Sequence, residues 1–176
     1  MDSAFYFDLS SPLAYLAAER ILHVMPGPVE WRPVLSGKLP NREPFDAPAI
    51  EQCALELGLQ PLRWPADFPF DSELAMLVAT YAKSIGRVVP FAQAAFRQAF
   101  AGGRSLAGAD NVLIAAAACE MHPTAVLSAA KLTSVVEQLS ATTTEAAERG
   151  VSGVPALHIK GRVFIGSGAL DEALAA

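Results

Sequence analysis

The chain has 176 residues, 52% of them hydrophobic, and its formal net charge at pH 7 is −5. This length and composition predict one folded domain with a packed core and argue against a disordered chain. The acidic balance, without any run of Lys or Arg, argues against a protein that binds nucleic acid. We find neither a secretory leader at the first residues nor an apolar run long enough to span a bilayer. We therefore expect a cytoplasmic protein that does not associate with membranes.

The first 35 residues predict a β-α-β unit. Residues 4–7 form a short aromatic run, which is typical of a buried strand. Ser11 followed by Pro12 is typical of a helix start, and apolar residues follow at helical spacing. Residues 29–34 alternate between apolar and polar side chains, which predicts a second strand. The handedness rule for such units places this strand parallel to the first.

The rest of the chain predicts a block of helices followed by two strands and a last helix. One of the predicted helices covers residues 91–100. Near the end, residues 156–159 and 162–165 predict two strands joined by the hairpin-type turn Lys160-Gly161. The order β-α-β, helices, β-β-α is that of an α/β, thioredoxin-like core with an inserted all-helical subdomain. We assign residues 1–35 and 150–176 to the discontinuous core and residues 36–149 to the insertion.

Ser11 is the first candidate for chemistry, because it follows a strand and lies at a helix N-terminus. Unpaired backbone N–H groups and the helix dipole favour a negative charge there by about 0.3–1 kcal/mol. A serine hydroxyl is a weak nucleophile without an adjacent base. Donation of its O–H to a bound thiolate is therefore the more economical chemical role. The alternative is a plain N-cap, which stabilises a helix by about 1 kcal/mol.

Few other side chains suggest a reactive centre. No group of His, Cys, Asp and Glu has the spacing of metal ligands, so we expect no bound metal. Cys53 and Cys119 lie far apart and form no CxxC motif, which favours two buried, inert thiols over a redox pair. Phe68 and Phe70, in a proline-rich loop, either line a pocket for an aromatic substrate or pack in the core.

Segments at both ends of the chain carry a resemblance to a known family. Residues 5–16 read FYFDLSSPLAYL, and residues 142–154 read TTTEAAERGVSGV, directly before Pro155. Residues 166–171, reading GSGALD, add a third segment. In this order the segments resemble those of 2-hydroxychromene-2-carboxylate isomerases and kappa-class glutathione transferases. That family has a DsbA-like thioredoxin fold with an inserted helical domain.

The resemblance implies a glutathione-dependent isomerase or transferase that acts on an aromatic-derived, conjugated small molecule and forms a homodimer. It implies that Ser11 faces and activates the glutathione thiolate, at the place where a redox relative carries its cysteine. A cis bond before Pro155 would present the backbone of Val154 to the cysteinyl part of glutathione. The cofactor-binding residues that the resemblance implies are Ser11, Asn41, Val154, Pro155, Ser167 and Gly168. Of these, Ser167 and Gly168 would lie near the γ-glutamyl end.

The sequence departs from the family pattern at the γ-glutamyl end. Gly168-Ala169 stands where the family has an Asp-Arg pair, and each lost charged contact costs about 1.5–3 kcal/mol. Lys38, Arg42 and Arg63 are candidates to compensate. The alternative is a thioredoxin-fold protein that binds another thiol or small molecule, or that has no catalytic activity. A disulfide oxidoreductase is disfavoured, because no cysteine lies near Ser11.

Overall fold

The computed structural model describes residues 3–42 and 45–176, and the strands in this part of the chain form one mixed sheet. The order across the sheet is β2-β1-β3-β4. β1 pairs in parallel with β2 and antiparallel with β3, and β3 pairs antiparallel with β4. The two ends of the chain therefore build the sheet together, as the sequence predicts. The strands are β1 (Ser3–Phe7), β2 (Glu30–Pro33), β3 (Ala156–Ile159) and β4 (Arg162–Ile165).

Eight α-helices occur in the described residues. α1 joins β1 to β2, α7 leads into β3, α8 ends the chain, and the other five lie between β2 and α7. The helices are α1 (Pro12–Val24), α2 (Ala47–Glu56), α3 (Glu73–Ser84), α4 (Val88–Phe96), α5 (Ala109–Ala117), α6 (Pro123–Ala129), α7 (Thr133–Glu148) and α8 (Ala169–Leu174). This arrangement confirms the predicted thioredoxin-like α/β fold class, whereas the residue bounds of core and insertion stay a prediction.

The helix predicted over residues 91–100 changes its character part-way. α4 ends at Phe96, and Arg97–Ala101 continue as a π turn. The N–H of Gly102 donates to the carbonyl of Arg97, five residues earlier, at 2.8 Å. A π turn shares the apolar spacing of an α-helix over so short a stretch, so the sequence pattern does not separate the two.

The aromatic run of β1 explains why the sheet is covered on both faces. Successive side chains of a strand point to opposite faces. Phe5 and Phe7 therefore share one face, where both rings contact the ring of Trp31 on β2, with centroids 5.0 and 5.7 Å away. Tyr6 points to the other face, in a buried cluster that includes Ala146 of α7.

The two cysteines differ in their surroundings, and neither forms a disulfide. Cys119 is buried, and burial raises the pKa of its thiol, which fits the predicted inert role. Cys53 is only half-buried, so the prediction of a buried thiol was wrong for this residue. Among the described helices, none combines the length and the apolar character needed to cross a bilayer.

Candidate functional site

Ser11 is the N-cap of α1. Its backbone N–H donates to the carbonyl of Asp8 at 3.0 Å, and its Oγ accepts from the N–H of Ala14 at 3.1 Å. Pro12 takes the first helical position, where a missing N–H costs nothing. Oγ serves as an acceptor in the cap, and its own proton has no acceptor among the described residues. Ser11 can therefore cap the helix and donate a hydrogen bond to a ligand at the same time.

Asp8, at the end of β1, holds this turn in place. Its carboxylate is 1% exposed. Oδ1 accepts from the N–H and the hydroxyl of Ser10, both at 2.9 Å, and Oδ2 accepts from the N–H of Ser36 at 2.8 Å. These bonds satisfy a buried carboxylate. They join the turn before α1 to the 3₁₀ turn Ser36–Lys38 after β2. The Ser10 hydroxyl is thereby occupied, whereas that of Ser11 is not.

A cavity of about 720 Å³ opens beside Ser11. We call it the first cavity. Its walls come from the turn after β1, the start of α1, the segment after β2, the loop before α3 and the residue Val154. A cavity of this size is in the range of sites for small molecules and cofactors. The chain's own side chains therefore leave room for a ligand that touches Ser11.

Three phenylalanines form an aromatic wall on the first cavity: Phe45, Phe68 and Phe70. Trp64 packs behind it, with its ring centroid 5.2 Å from that of Phe45 and 5.0 Å from that of Phe68. Phe68 and Phe70 also contact the ring of Phe100, at 6.1 and 6.3 Å. Both alternatives for these two residues therefore hold, because each ring lines the cavity and packs on its neighbours.

The π turn anchors the loop that carries this wall. The carbonyl of Phe100 accepts from the backbone N–H of Arg63 at 2.8 Å. Gly103, with φ +67°, lets the chain pass close to the same loop, since a Cβ there would lie 3.1 Å from the Arg63 Cβ. The Trp64 indole N–H donates to Glu51 Oε1 of α2 at 2.5 Å, which fixes the loop from its other side.

Charged side chains of both signs line the first cavity. Lys38 and Arg42 lie on the segment after β2 and are exposed, and Asp71 and Glu73 lie at the start of α3. Arg63, the third predicted candidate for compensation, does not line it. A cavity with cations on one segment and carboxylates on another suits a ligand that itself carries both signs of charge.

The loop before β3 forms one side of the first cavity. The Val154–Pro155 bond is cis, as the resemblance implied, and Val154 lines the cavity. The N–H of Asn41 donates to the carbonyl of Ser152 at 2.7 Å. The structure therefore brings Ser11, Asn41 and Val154 to one cavity. Pro155 lines neither this cavity nor the next one, and its carbonyl accepts from the N–H of Gly166 at 2.8 Å.

The two predicted residues at the γ-glutamyl end lie outside the first cavity. Ser167 lines a second cavity, of about 310 Å³, between α1, α2 and the loop from β4 to α8. Leu13 and Ile50 line both cavities and form the partition between them. Gly168 lines neither; it is the N-cap of α8, and a Cβ there would lie 2.8 Å from Glu172 Oε1. In the described residues no group of three or more His, Cys, Asp or Glu side chains could hold a metal ion.

A family model described as the DSBA-like thioredoxin domain matches residues 4–176. The chain belongs to the DSBA-like thioredoxin domain family. Among solved structures, 2-hydroxychromene-2-carboxylate isomerase superposes with a TM-score of 0.87, at 18% identity, over 99% of this chain and 93% of that chain. A probable DsbA oxidoreductase from Streptomyces coelicolor gives 0.78, at 18% identity, over 98% and 86%. No curated protein matches the sequence.

A third DsbA-like structure was solved with glutathione. The cytosolic disulfide reductase DsbM from Pseudomonas aeruginosa, with GSH, superposes with a TM-score of 0.71, at 14% identity, over 99% of this chain and 96% of that chain. At these identities the similarity shows the fold alone. The predicted resemblance to a DsbA-like isomerase family is confirmed at that level. The structures that superpose on this chain include one named as an isomerase and one named as a disulfide reductase. In this chain, no cysteine occurs among the described residues that line the first cavity.

Proposed function

We propose that this DsbA-like protein is a glutathione-dependent isomerase or transferase for an aromatic-derived, conjugated small molecule. One observation carries the proposal. The Ser11 hydroxyl, at the N-terminus of α1, lines an open cavity and has a proton that no described residue accepts. The aromatic wall lines the same cavity. The similarity to 2-hydroxychromene-2-carboxylate isomerase and to a glutathione-bound relative supports the proposal.

Ser11 is the catalytic residue in this proposal, because it binds the reacting sulfur. A hydrogen bond to a charged acceptor contributes about 1.5–3 kcal/mol. The N-terminus of α1 adds about 0.3–1 kcal/mol. Since one pKa unit corresponds to about 1.4 kcal/mol, the two together lower the pKa of a bound thiol by about one to three units. From an ordinary value of about 8.5, this makes much of the thiol ionised near neutral pH.

The backbone beside Ser11 suits an extended peptide. Within the described residues, the N–H and C=O of Val154 make no backbone hydrogen bond, because the pairing of β3 with β1 stops at Ala156. An extended ligand can pair its own backbone with these two free groups. Asn41 lies against the same loop and lines the cavity. Glutathione would therefore pair its cysteinyl backbone with Val154 while its sulfur faces Ser11.

The chemistry in this proposal is covalent and reversible. The thiolate adds to an electron-poor carbon of the conjugated substrate, a ring bond opens, rotation occurs about a bond that has become single, and the sulfur leaves as the double bond re-forms. No net oxidation occurs, so no electron acceptor is required. Phe45 and Phe68 would stack on the aromatic part of the substrate. Lys38 and Arg42 would attract a negative charge on the substrate or on glutathione.

The experiment is calorimetric titration with glutathione, together with turnover of an aromatic conjugated substrate. Ser11→Ala removes the proposed donor and should weaken glutathione binding about tenfold, whereas Ser11→Thr keeps both cap and hydroxyl and should bind within about threefold. Ser10→Ala is the matched control, because that hydroxyl already donates to Asp8. Absence of binding by the wild type at millimolar glutathione would contradict the proposal.

The uncharged Gly168-Ala169 pair favours a second candidate, a binding protein for a different thiol or small molecule. Binding of another thiol or small molecule, without binding of glutathione, would favour this candidate over the enzyme.

We further propose a homodimer that works in the reducing cytoplasm. Sedimentation at several protein concentrations measures the oligomeric state, and a single species with the mass of one chain would exclude the dimer.

A further inference from the structure

A second serine of the first cavity has a hydroxyl that no other described residue uses. Ser72, directly before α3, is 8% exposed and lines the first cavity. Its Oγ makes no hydrogen bond within the described residues, not even to the helix that it precedes. A buried hydroxyl normally has a partner, because burial without one costs free energy. The open side of Ser72 is the cavity, so a ligand there can supply the missing partner.

The position of Ser72 relative to Ser11 follows from the packing of α3. The N–H of Met76 donates to the carbonyl of Ser72 at 2.8 Å, so the two residues lie one helical turn apart on the same face. On that face, Met76 Sδ accepts from the buried N–H of Leu9 at 3.2 Å. Leu9 belongs to the turn that leads to Ser11. The face of α3 that carries Ser72 therefore packs against the turn that carries Ser11.

The start of α3 favours negative charge on a ligand oxygen, as the start of α1 does. The N–H groups of Leu74 and Ala75, in the first turn of α3, have no acceptor among the described residues. Unpaired N–H groups and the helix dipole together make the N-terminus of a helix electropositive. The hydroxyl of Ser72 lies at this electropositive end and is the side chain there that can donate to a ligand in the first cavity.

The charges around Ser72 restrict the kind of ligand oxygen. Asp71 and Glu73, its two neighbours, are exposed carboxylates that line the first cavity. They disfavour an oxygen that is already negative when it binds, such as that of a carboxylate or a phosphate. A carbonyl oxygen is neutral on binding and becomes negative only when a nucleophile adds to the conjugated system. Ser72 then acts on it at close range, whereas water screens the two exposed carboxylates.

We propose that Ser72 is a second catalytic residue, whose hydroxyl binds the carbonyl oxygen of the conjugated substrate. The inference rests on the proposed function, in which a thiolate at Ser11 attacks that substrate. Phe68 and Phe70 of the aromatic wall lie just before Ser72 in the chain and line the same cavity. One segment thus binds the aromatic ring through its phenylalanines and the carbonyl through its serine.

The two serines act on different atoms of one addition. The electron pair of the thiolate forms the C–S bond, the π pair of the C=C bond moves next to the carbonyl carbon, and the π pair of the C=O bond moves onto oxygen. Ser72 donates to this enolate oxygen, and Ser11 to the sulfur before it attacks. After rotation about the bond that has become single, the electron pairs return, the C=C and C=O bonds re-form, and the sulfur leaves as a thiolate. No oxidation occurs.

The test uses glutathione with the cis isomer of benzylideneacetone, whose conversion to the trans isomer changes its ultraviolet absorbance. Loss of one preorganised donor to an oxyanion lowers kcat by about 10²–10³, so Ser72→Ala should lower kcat about 100-fold and change KM by less than about threefold. Ser72→Thr keeps the hydroxyl and should retain kcat within about tenfold. Ser84→Ala is the matched control, because Ser84 lies at the other end of α3, donates to a backbone carbonyl and lines neither cavity.

Three further readouts separate this role from a structural one and from that of Ser11. Ser72→Ala should bind glutathione as the wild type does and leave the pKa of the bound thiol unchanged, whereas Ser11→Ala alters both. Its Tm should stay within about 3 °C of the wild type, because the Ser72 hydroxyl makes no cap bond in the fold. Benzylacetone, a saturated ketone, cannot take up a thiolate by conjugate addition. The infrared C=O band of this ketone should lie at lower wavenumber on the wild type than on Ser72→Ala.

The failures of the inference and of the proposed function can be told apart. If the wild type isomerises the probe with glutathione and Ser72→Ala has a kcat within about threefold of the wild type, the inference is overturned and the proposed function stands. The same C=O band on both proteins has the same meaning. A wild type that binds glutathione without isomerising the probe overturns the inference, because a conjugated carbonyl is then the wrong substrate class. If the wild type does not bind glutathione, the proposed function fails and the inference fails with it.

Discussion

We predict that the Asp8 carboxylate stabilises both the fold and the turn that carries Ser11. Its carboxylate is buried, and it accepts from two donors of Ser10 and from the backbone N–H of Ser36. In Asp8→Ala the Ser10 hydroxyl can rotate toward another acceptor, but the two backbone N–H groups cannot. An unsatisfied buried donor costs about 1–3 kcal/mol, so the loss of an acceptor for both should lower the free energy of unfolding by about 2–6 kcal/mol.

Thermal unfolding followed by circular dichroism measures this loss. For a domain of this size 1 kcal/mol corresponds to about 2–4 °C, so the Tm should fall by about 4–24 °C. Asp8→Asn keeps one carbonyl oxygen but presents an NH₂ group to one of the donors, so its Tm should lie between those of the wild type and Asp8→Ala. Asp71→Asn is the control, because Asp71 is an exposed carboxylate whose Oδ1 accepts from the Glu73 N–H at 2.9 Å.

The Asn side chain can replace that single acceptor, so Asp71→Asn should leave stability within about 0.5 kcal/mol. Asp8→Ala should also weaken glutathione binding more than its effect on the folded fraction explains, because Asp8 holds the turn that presents Ser11. A stability of Asp8→Ala within about 0.5 kcal/mol of the wild type would refute this role of Asp8.

Three further predictions concern the aromatic wall, its loop and one ion pair. Gly103→Ala should destabilise the protein by about 1–3 kcal/mol in urea unfolding, because the φ of Gly103 is +67° and Arg63 lies close to the added Cβ. Gly27→Ala should not destabilise the protein, because no atom lies within 4 Å of a Cβ added there. Phe68→Ala should raise the KM for an aromatic substrate about threefold to tenfold without changing glutathione affinity, and equal effects on both would contradict the wall's role. A hydrogen bond from Lys83 at 2.6 Å lowers the pKa of Glu30. The pair therefore stabilises the fold at pH values above the ordinary carboxyl pKa. This stabilisation is lost as the pH falls through the lowered pKa of Glu30. In Lys83→Met, the free energy of unfolding should no longer show the decrease at low pH that comes from this pair. That decrease is at most about 1 kcal/mol for a partly exposed pair. The same pH profile of unfolding for the variant and the wild type would contradict this prediction.

The sequence predicts the parts of the fold that are local. The aromatic run over β1, the Ser11-Pro12 start of α1 and the hairpin turn at Lys160-Gly161 each depend on neighbouring residues, and each is present. Lys160 and Gly161 both have positive φ, as this kind of turn requires. The order of these elements sufficed to predict the sheet, because few connections are compatible with β-α-β and β-β-α ends.

The parts that escaped prediction depend on residues distant in the sequence. Asp8 marks a strand end in the sequence, and its importance comes from Ser36, 28 positions later. The second cavity depends on Arg20 and Asp46, which belong to different helices and show no motif together. The placement of Ser167 in that cavity, apart from Ser11, follows from the packing of α2 against α1. Tertiary packing therefore decides which of the predicted residues share a cavity.

The central claim is that the Ser11 hydroxyl stabilises a bound thiolate. Its most direct test is a pH titration of the ultraviolet thiolate absorbance of glutathione bound to the wild type and to Ser11→Ala, at saturating protein. The claim predicts a pKa of about 5.5–7.5 for the thiol on the wild type. On Ser11→Ala the pKa should be higher by at least about one unit, because the charge-assisted hydrogen bond is lost. The same pKa for the thiol on both proteins, or a value on the wild type equal to that of free glutathione, would contradict the claim.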